Sequence, residues 1–409
     1  MKLTILTQYF PPEVGAPQNR LFELAERLNA RGVEIVVITA MPNYPKMEIQ
    51  EGYRGKWYVK ETMGNLTVHR CAIFVSKNKS IPIRLLNYFS FVFTSLWIGL
   101  FKTKRADFLL CESPPLFLGI SAVILSRLKR SRLIFNVSDL WPESAEKLGL
   151  VTNKTFLKLA TWLEEWLYRK SFLITGQTQG IVKDISTRFP FKDVYWLPNG
   201  VDPTLFDQST IRKSDWRAEN GYTENDFILI YAGIIGYAQG LDIIIDAASK
   251  LREQPSVKFV LLGNGPEKER LVERVGELSL TSVKFLDFVQ KKEMPAILKE
   301  VNASIVPLRK LDLFKGAIPS KLFECLASEK PILLGVDGEA RQLFIEQGKA
   351  GLYFEPENVT ELVEAIVRLK QNPEECQQLG VNGKKYVSTY FSRDKIAEKL
   401  WQKLGEISK

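Results

Sequence analysis

Histidine is almost missing from this chain: His69 is the single one in 409 residues. That removes every mechanism needing two imidazoles or a histidine-based triad. A lone histidine inside the apolar stretch LTVHRCAIF reads as structural. Cysteine is scarce too. Cys71, Cys111, Cys325 and Cys376 lie far apart with no C-x-x-C, which argues against a structural zinc and suits a reducing cytoplasm. No D-x-D occurs, so nothing proposes a carboxylate site for a metal-bound nucleotide. Low-complexity tracts are missing, as are helix-turn-helix, zinc-finger and RNP patterns, which sets nucleic acid aside. The opening residues, MKLTILTQYFPPE, have neither the apolar run nor the cleavage site of a signal peptide. They read as a strand and turn beginning the first domain.

What remains is a globular composition, 45% hydrophobic and 25% charged, long enough for two domains. The net charge of +9 is uneven: Lys and Arg against Asp and Glu give +11 over residues 1–200, −2 over 201–409 and +10 over 51–132. Such asymmetry points to an anionic surface facing one half of the molecule. Because the basic block brackets apolar runs, anionic lipid is the partner it fits best.

Short apolar runs alternate with helical patterns almost throughout, which indicates parallel sheets with crossover helices. LTILT, EIVVIT, FLLCE, LIFNV, FLITG and VYWLP are the strands expected in the first half. FILIYAG, VKFVLLG, VKFLD, ASIVP, PILLGV and GLYF are those expected in the second. Two sets of this kind make two doubly wound α/β domains, and the Pro-, Gly- and Asn-rich LPNGVDPTLF is the natural hinge.

Four segments carry candidate chemistry. FILIYAGIIGYAQGLD (227–242) is strand, glycine turn and helix, the layout that brings backbone N–H groups up to phosphate, yet its turn holds no Lys or Arg. In FKGAIPSKLFECLASEKPILLG (314–335), Pro319 ends one segment and Ser320 is a suitable N-cap. Lys321 then stands beside the helix start, and Glu324 lies one turn on, where a carboxylate can accept from ribose hydroxyls. An ordinary capped helix with solvated charges accounts for the same residues. VLLGNGPEKERL (260–271) is another strand and glycine turn, better explained by a tight turn before a helix than by nucleotide binding. LIFNVSDLWPESAEKLG (133–149) puts Asp139 at a strand end and Glu143 at the next helix start; each is either a reactive carboxylate or a cap. Gly15 and Gln18, in the loop before the first helix, are either ligand-facing or plain loop residues.

The run LLNYFSFVFTSLWIGLF (85–101) is 17 residues long, flanked by Arg84 and by Lys102, Lys104 and Arg105. Arg84, Asn87, Ser90 and Thr94 make a thin polar stripe along it. It is short for a membrane span and is either a buried crossover helix or an interfacial one whose rings, Phe91 and Trp97 among them, enter lipid.

Taken together, YFPPEVGAP…VIT, LPNGVDPTLF, YAG…QGLD, LLGNGP, KLFECLASEKPIL and AGLYFEPEN resemble the retaining, metal-independent GT-B glycosyltransferases of family four (group 1). DLWPES is similar to the subgroup that assembles O-antigen, capsule and colanic-acid-type polysaccharides. The resemblance implies two Rossmann-like domains facing across a cleft: residues 1–203 for the acceptor and the membrane, 204–392 for the nucleotide sugar. A terminal helix, 393–409, would cross back to the first. It implies donor-binding residues Gly233, Gly236, Gln239, Gly263, Phe288, Gly316, Lys321 and Glu324. Gly316 stands where the family has the first Glu of E-x7-E, and Ile234 and Gln239 stand where it has a phosphate-binding Arg and Lys. Arg309, Lys310 and Lys315 are the cations available to compensate. Asp139, then Glu143, are the catalytic candidates, with Gly15 and Gln18 on the acceptor side.

The expected activity is transfer of a hexosyl group from a nucleoside-diphosphate sugar, UDP-linked, to a lipid-linked saccharide, with retention and no cofactor or metal. It would take place on the cytoplasmic face of the plasma membrane, with the enzyme attached peripherally. Two rival readings are a nucleotide-sugar epimerase on the same scaffold and a non-catalytic membrane-associated nucleotide-sugar-binding protein.

Overall fold

Each of the twelve apolar runs named above lies in a strand of the computed structural model, which describes every residue except 14, 45, 79, 150, 208, 210, 212, 213 and 409. The chain divides into two compact units, Met1–Asn199 with Arg393–Lys409, and Gly200–Ser392.

The first unit holds β1 (Lys2–Leu6), β2 (Glu34–Ala40), β3 (Tyr58–Met63), β4 (Leu66–Cys71), β5 (Phe108–Ser113), β6 (Arg132–Val137), β7 (Leu173–Gly176) and β8 (Val194–Trp196). They form one sheet in the order β3-β4-β2-β1-β5-β6-β7-β8. All neighbours are parallel except β3 with β4. The hairpin β3–β4 enlarges the sheet beyond the six strands expected. Its β3, YVKETM, has no buried residue and so gave no apolar run.

Helices α1 (Ala16–Ala30), α2 (Ile81–Lys102), α3 (Leu118–Leu128), α4 (Glu143–Lys147), α5 (Lys154–Lys170) and α6 (Gln179–Arg188) connect these strands. Because successive strand residues face opposite sides, the sheet feeds two cores. Leu109 and Cys111 pack with α2, α3, α5 and α6, whereas Phe108 and Leu110 pack in the cluster that contains α1.

The second unit is all parallel: β9 (Phe227–Ala232), β10 (Val257–Leu262), β11 (Val283–Leu286), β12 (Ala303–Pro307), β13 (Ile332–Gly335) and β14 (Gly351–Tyr353), in the order β11-β10-β9-β12-β13-β14. Its helices are α7 (Trp216–Glu219), α8 (Asp242–Lys250), α9 (Lys268–Glu277), α10 (Met294–Glu300), α11 (Lys321–Ala327), α12 (Val359–Gln371) and α13 (Pro373–Tyr390). The last helix, α14 (Arg393–Ser408), belongs to the first unit, where Ile396, Ala397, Leu400 and Leu404 are buried in the α1 core.

In both sheets the order reverses beside the first strand, at β1/β5 and at β9/β12. Open parallel sheets collect ligands beyond the carboxyl ends of strands at such a point. Most of the candidate residues lie on the loops and helix starts that follow the central strands of each sheet, whereas Phe288 follows the edge strand β11.

Candidate functional site

In the second unit, β9 ends at Ala232 and the glycine turn follows. Gln239 and Gly240 donate within the turn, to Gly236 O and Tyr237 O (both 3.3 Å), and two more N–H groups are spent on the neighbouring segment: Gly233 donates to Leu262 O (2.9 Å) and Ile235 to Asn264 O (2.9 Å). The turn after β10 thus lies directly against the first one. A Cβ on Gly263 would stand 1.9 Å from Gly233 O, and one on Gly265 would stand 2.3 Å from Ile235 O. Gly263 is therefore a packing residue, required because two backbones meet there. The N–H groups of Ile234, Gly236, Tyr237 and Ala238 donate to no partner among the described residues and remain for a ligand.

The positive charge comes from elsewhere in the fold. Lys321, the first residue of α11, reaches back to the turn. Its Nζ lies 3.5 Å from the centroid of the Tyr231 ring and 2.9 Å from where a Gly233 Cβ would be. Desolvation of the ammonium lowers its pKa to about 7, while Cys325 acts in the opposite direction. Arg309 approaches from the end of β12. Its guanidinium lies 3.6 Å over the Tyr237 ring, its Nε donates to Tyr237 O (2.9 Å) and its backbone N–H donates to Ala238 O (3.0 Å). Among the described residues Arg309 has no carboxylate partner. Lys310 is paired with Glu355 (2.9 Å) and Lys315 with Asp312 (2.8 Å), so both are already engaged.

Glu324 lies on α11 one turn beyond Lys321, half-buried. Ser320, expected as an N-cap, is instead in helical conformation and makes no side-chain cap bond. The chain turns into α11 through Leu322 N–H to Pro319 O (3.1 Å). Gln239 folds back on its own turn, its Oε1 2.9 Å from where a Gly236 Cβ would lie. Gly316 closes a short 3-10 turn, Asp312–Gly316, and a Cβ there would meet open space. Phe288, beyond the end of β11, is exposed.

In the first unit the strand ends hold a buried polar network that the sequence reading passed over. Glu112, on β5, pairs with Arg20 of α1, and Arg20 also donates to Ser138 Oγ (2.8 Å). Ser138 Oγ donates to the same Glu112 oxygen, Asn136 Nδ2 to the other, and Thr175 Oγ1 to Asn136 Oδ1 (2.6 Å). The signal was visible: a lone Glu at the end of the apolar FLLCE, where an unpaired charge is costly. Asp139 follows Ser138 directly. Its Oδ2 accepts from Ser144 Oγ (2.7 Å). The residue as a whole is exposed, yet desolvation of its carboxyl raises its pKa, against the Ser144 hydroxyl and the Leu140 N–H, which lower it. Glu143 is engaged with Lys147 one turn on (2.5 Å).

Gln18 is buried and lies against Gly15, and its Oε1 has no hydrogen-bond partner among the described residues. His69 sits in β4 with Nδ1 2.8 Å from Tyr58 Oη. Burial, with Lys60 adding to it, lowers its pKa to about 4, which keeps it neutral at physiological pH.

Two domain descriptions match the sequence: "Glycosyl transferase 4-like domain" over residues 15–200 and "Glycosyl transferases group 1" over residues 212–386. The chain belongs to the group 1 glycosyl transferases. It is 28% identical, over 90% of its length and 91% of the relative's, to the putative colanic acid biosynthesis glycosyl transferase WcaI of Escherichia coli. It is 22% identical to the alpha-monoglucosyldiacylglycerol synthase of Acholeplasma laidlawii, over 93% of this chain and 91% of that one. Among solved structures, sucrose-phosphate synthase of Thermosynechococcus elongatus superposes with a TM-score of 0.77 at 16% identity, covering 99% of this chain and 98% of that one. Anabaena HepE in complex with UDP and glucose gives 0.72 at 18%, covering 99% and 100%. These likenesses establish the two-domain GT-B fold of this glycosyltransferase.

Proposed function

We propose that this glycosyltransferase transfers a hexosyl group from a UDP-sugar to a lipid-linked saccharide in surface-polysaccharide assembly, with retention of configuration and without a metal ion. The observation that carries the reading is the convergence of Lys321 and Arg309 on a glycine turn that has no cation of its own. A departing nucleoside diphosphate develops negative charge, and preorganised positive groups stabilise it. Free amides at Ile234, Gly236, Tyr237 and Ala238 complete a cradle for the diphosphate. Glu324 holds the ribose hydroxyls, and Gly316 leaves the first position of E-x7-E without a side chain for the sugar.

On the first unit Asp139 orients the acceptor or the sugar. Desolvation raises the pKa of its carboxyl, which favours its protonated form relative to an ordinary aspartate. The resemblance to WcaI and to the Acholeplasma synthase, named for colanic acid biosynthesis and for a glucosyldiacylglycerol, supports a polysaccharide or lipid-borne acceptor.

Incubation with a panel of nucleotide sugars, following free nucleoside diphosphate with and without membrane lipid extract, tests the reading. Release that needs both the sugar nucleotide and the extract is the expected result. Epimerised sugar nucleotide without release, or binding with neither, would overturn it.

A further inference from the structure

Helix α2 is apolar on both its inner and its outer side. Its polar residues face the protein: Asn87 Oδ1 accepts from Gln8 Nε2 (3.2 Å), Thr94 Oγ1 donates to Ala72 O (2.6 Å), and Ser95 Oγ meets Ser121 Oγ (3.1 Å). Asn87, Thr94 and Ser95 are all buried. A second set of large apolar side chains faces outward. Leu86, Phe89, Phe93, Trp97 and Phe101 recur every three or four residues, and Phe93, Trp97 and Phe101 are 59%, 51% and 64% exposed. At 1.5 Å per residue that stripe is ~22 Å long. Phe91, by contrast, is fully buried in the core, so it is not among the rings available to lipid.

A second apolar strip stands on α5, where Leu159 and Trp162 are exposed. Both helices pack on the same side of the sheet, and Phe117 joins them, touching Phe89 (5.1 Å between centroids) and Phe156 (6.4 Å). Basic residues bracket the stripe: exposed Arg84 at one end, exposed Lys102, Lys104 and Arg105 at the other. They belong to the residue 51–132 block whose net charge is +10.

We propose that the outward face of α2, together with Leu159 and Trp162 of α5 on the same side of the sheet, is inserted shallowly into an anionic phospholipid bilayer, the helix lying in the plane of the interface. Pro82–Lys102 is long and apolar enough to cross a membrane. The inward hydrogen bonds, together with Phe91, Val92 and Ile98 in the core, hold it against the domain and leave only one side for lipid. An aromatic stripe with cations at its ends matches the acyl boundary and the anionic headgroups of such a surface. The inference deepens the functional reading above and rests on it for why the enzyme meets a membrane.

The test uses the full-length protein, vesicles of phosphatidylglycerol with phosphatidylcholine, vesicles of phosphatidylcholine alone, and the variant Phe93→Ser/Trp97→Ser/Phe101→Ser. The parent should sediment with the anionic vesicles and be released by salt. The variant should bind at least tenfold more weakly, keep its melting temperature and still release nucleoside diphosphate with detergent-dispersed lipid extract. Equal sedimentation of variant and parent would overturn the proposal. So would a halving of the parent's solution mass on substitution, which would give the face to a second copy of the chain.

Should the triple variant misfold, Trp97→Cys carries an environment-sensitive fluorophore at a position where no native thiol competes, since all four cysteines are buried. A blue shift on anionic vesicles is expected, and its absence overturns the proposal. Vesicle binding as described, with nucleotide release indifferent to lipid extract, would uphold the docking face and reject the lipid-linked acceptor.

Discussion

The ammonium of Lys321 rests 3.5 Å from the centre of the Tyr231 ring, in a place where desolvation brings its pKa to about 7. In the unfolded chain this lysine titrates near its ordinary value, so between about pH 7 and pH 10 the unfolded state holds the extra proton. Stability should therefore rise with pH across that window, and the cost of the buried charge is fully present below it. A diphosphate favours the protonated form. Calorimetry of UDP binding should show proton uptake near neutrality and weakening affinity toward alkaline pH, and Lys321→Met should abolish both. Affinity flat with pH would remove Lys321 from the site.

Arg309 and its neighbours give a sharper comparison. Arg309 stacks on Tyr237 without a carboxylate partner among the described residues, whereas Lys310 and Lys315 are each paired with one. A charged donor to phosphate contributes about 1.5–3 kcal/mol. Arg309→Ala should weaken UDP binding about tenfold or more on that scale, and Lys310→Ala and Lys315→Ala should leave it within about twofold. Equal losses for all three would indicate a diffuse field with no specific contact at Arg309.

Glu324→Gln should weaken binding of UDP while leaving binding of inorganic diphosphate unchanged, because a carboxylate accepts both ribose hydroxyls in charge-assisted bonds. An ordinary helix residue would instead give a lower melting temperature at constant affinity. Titration beside a thermal melt decides between them.

Glu112 and Arg20 are almost entirely buried, with 3% and 9% of their side chains exposed. Removing one partner strands the other charge, which costs about 3–5 kcal/mol. Glu112→Gln should lower the urea midpoint accordingly, and Arg20→Met/Glu112→Leu should recover much of the loss. A single variant as stable as the parent would mean that the pair contributes little to folding.

Strand identity was readable because apolar β-branched runs bounded by turn residues have few other homes, and LTILT and FILIYAG show it. The β3–β4 hairpin was not, since YVKETM carries two charges and buries none of its residues. The orientation of α2 was hidden for a different reason. Its sequence is apolar on nearly all sides, so periodicity marks where Asn87 and Thr94 lie but not whether that side faces solvent. Their hydrogen bonds to Gln8 and Ala72 come from segments remote in sequence. Likewise GIIGYAQG promised open amides, but what a turn offers depends on which neighbour it touches. Only the contact with Asn264 shows that Ile235 is already taken. The placement of Lys321 and Glu324 one turn apart was legible because both are local to one helix; the pairing of Arg20 with Glu112 was not, the two being 92 positions apart.

The return of α14 to the first unit makes the second unit an insertion within the first. During synthesis, then, Met1–Asn199 leaves the ribosome with Leu400 and Leu404 of its own core still to be made. The Gly200–Ser392 unit is contiguous and can complete its fold first, while the earlier segment waits with an uncovered apolar groove beside α1. Chaperones that hold exposed apolar surface have a defined period in which to act. A fragment ending at Asn199 would inherit that groove permanently, whereas joining Asn199 to Arg393 through a short flexible linker would close it.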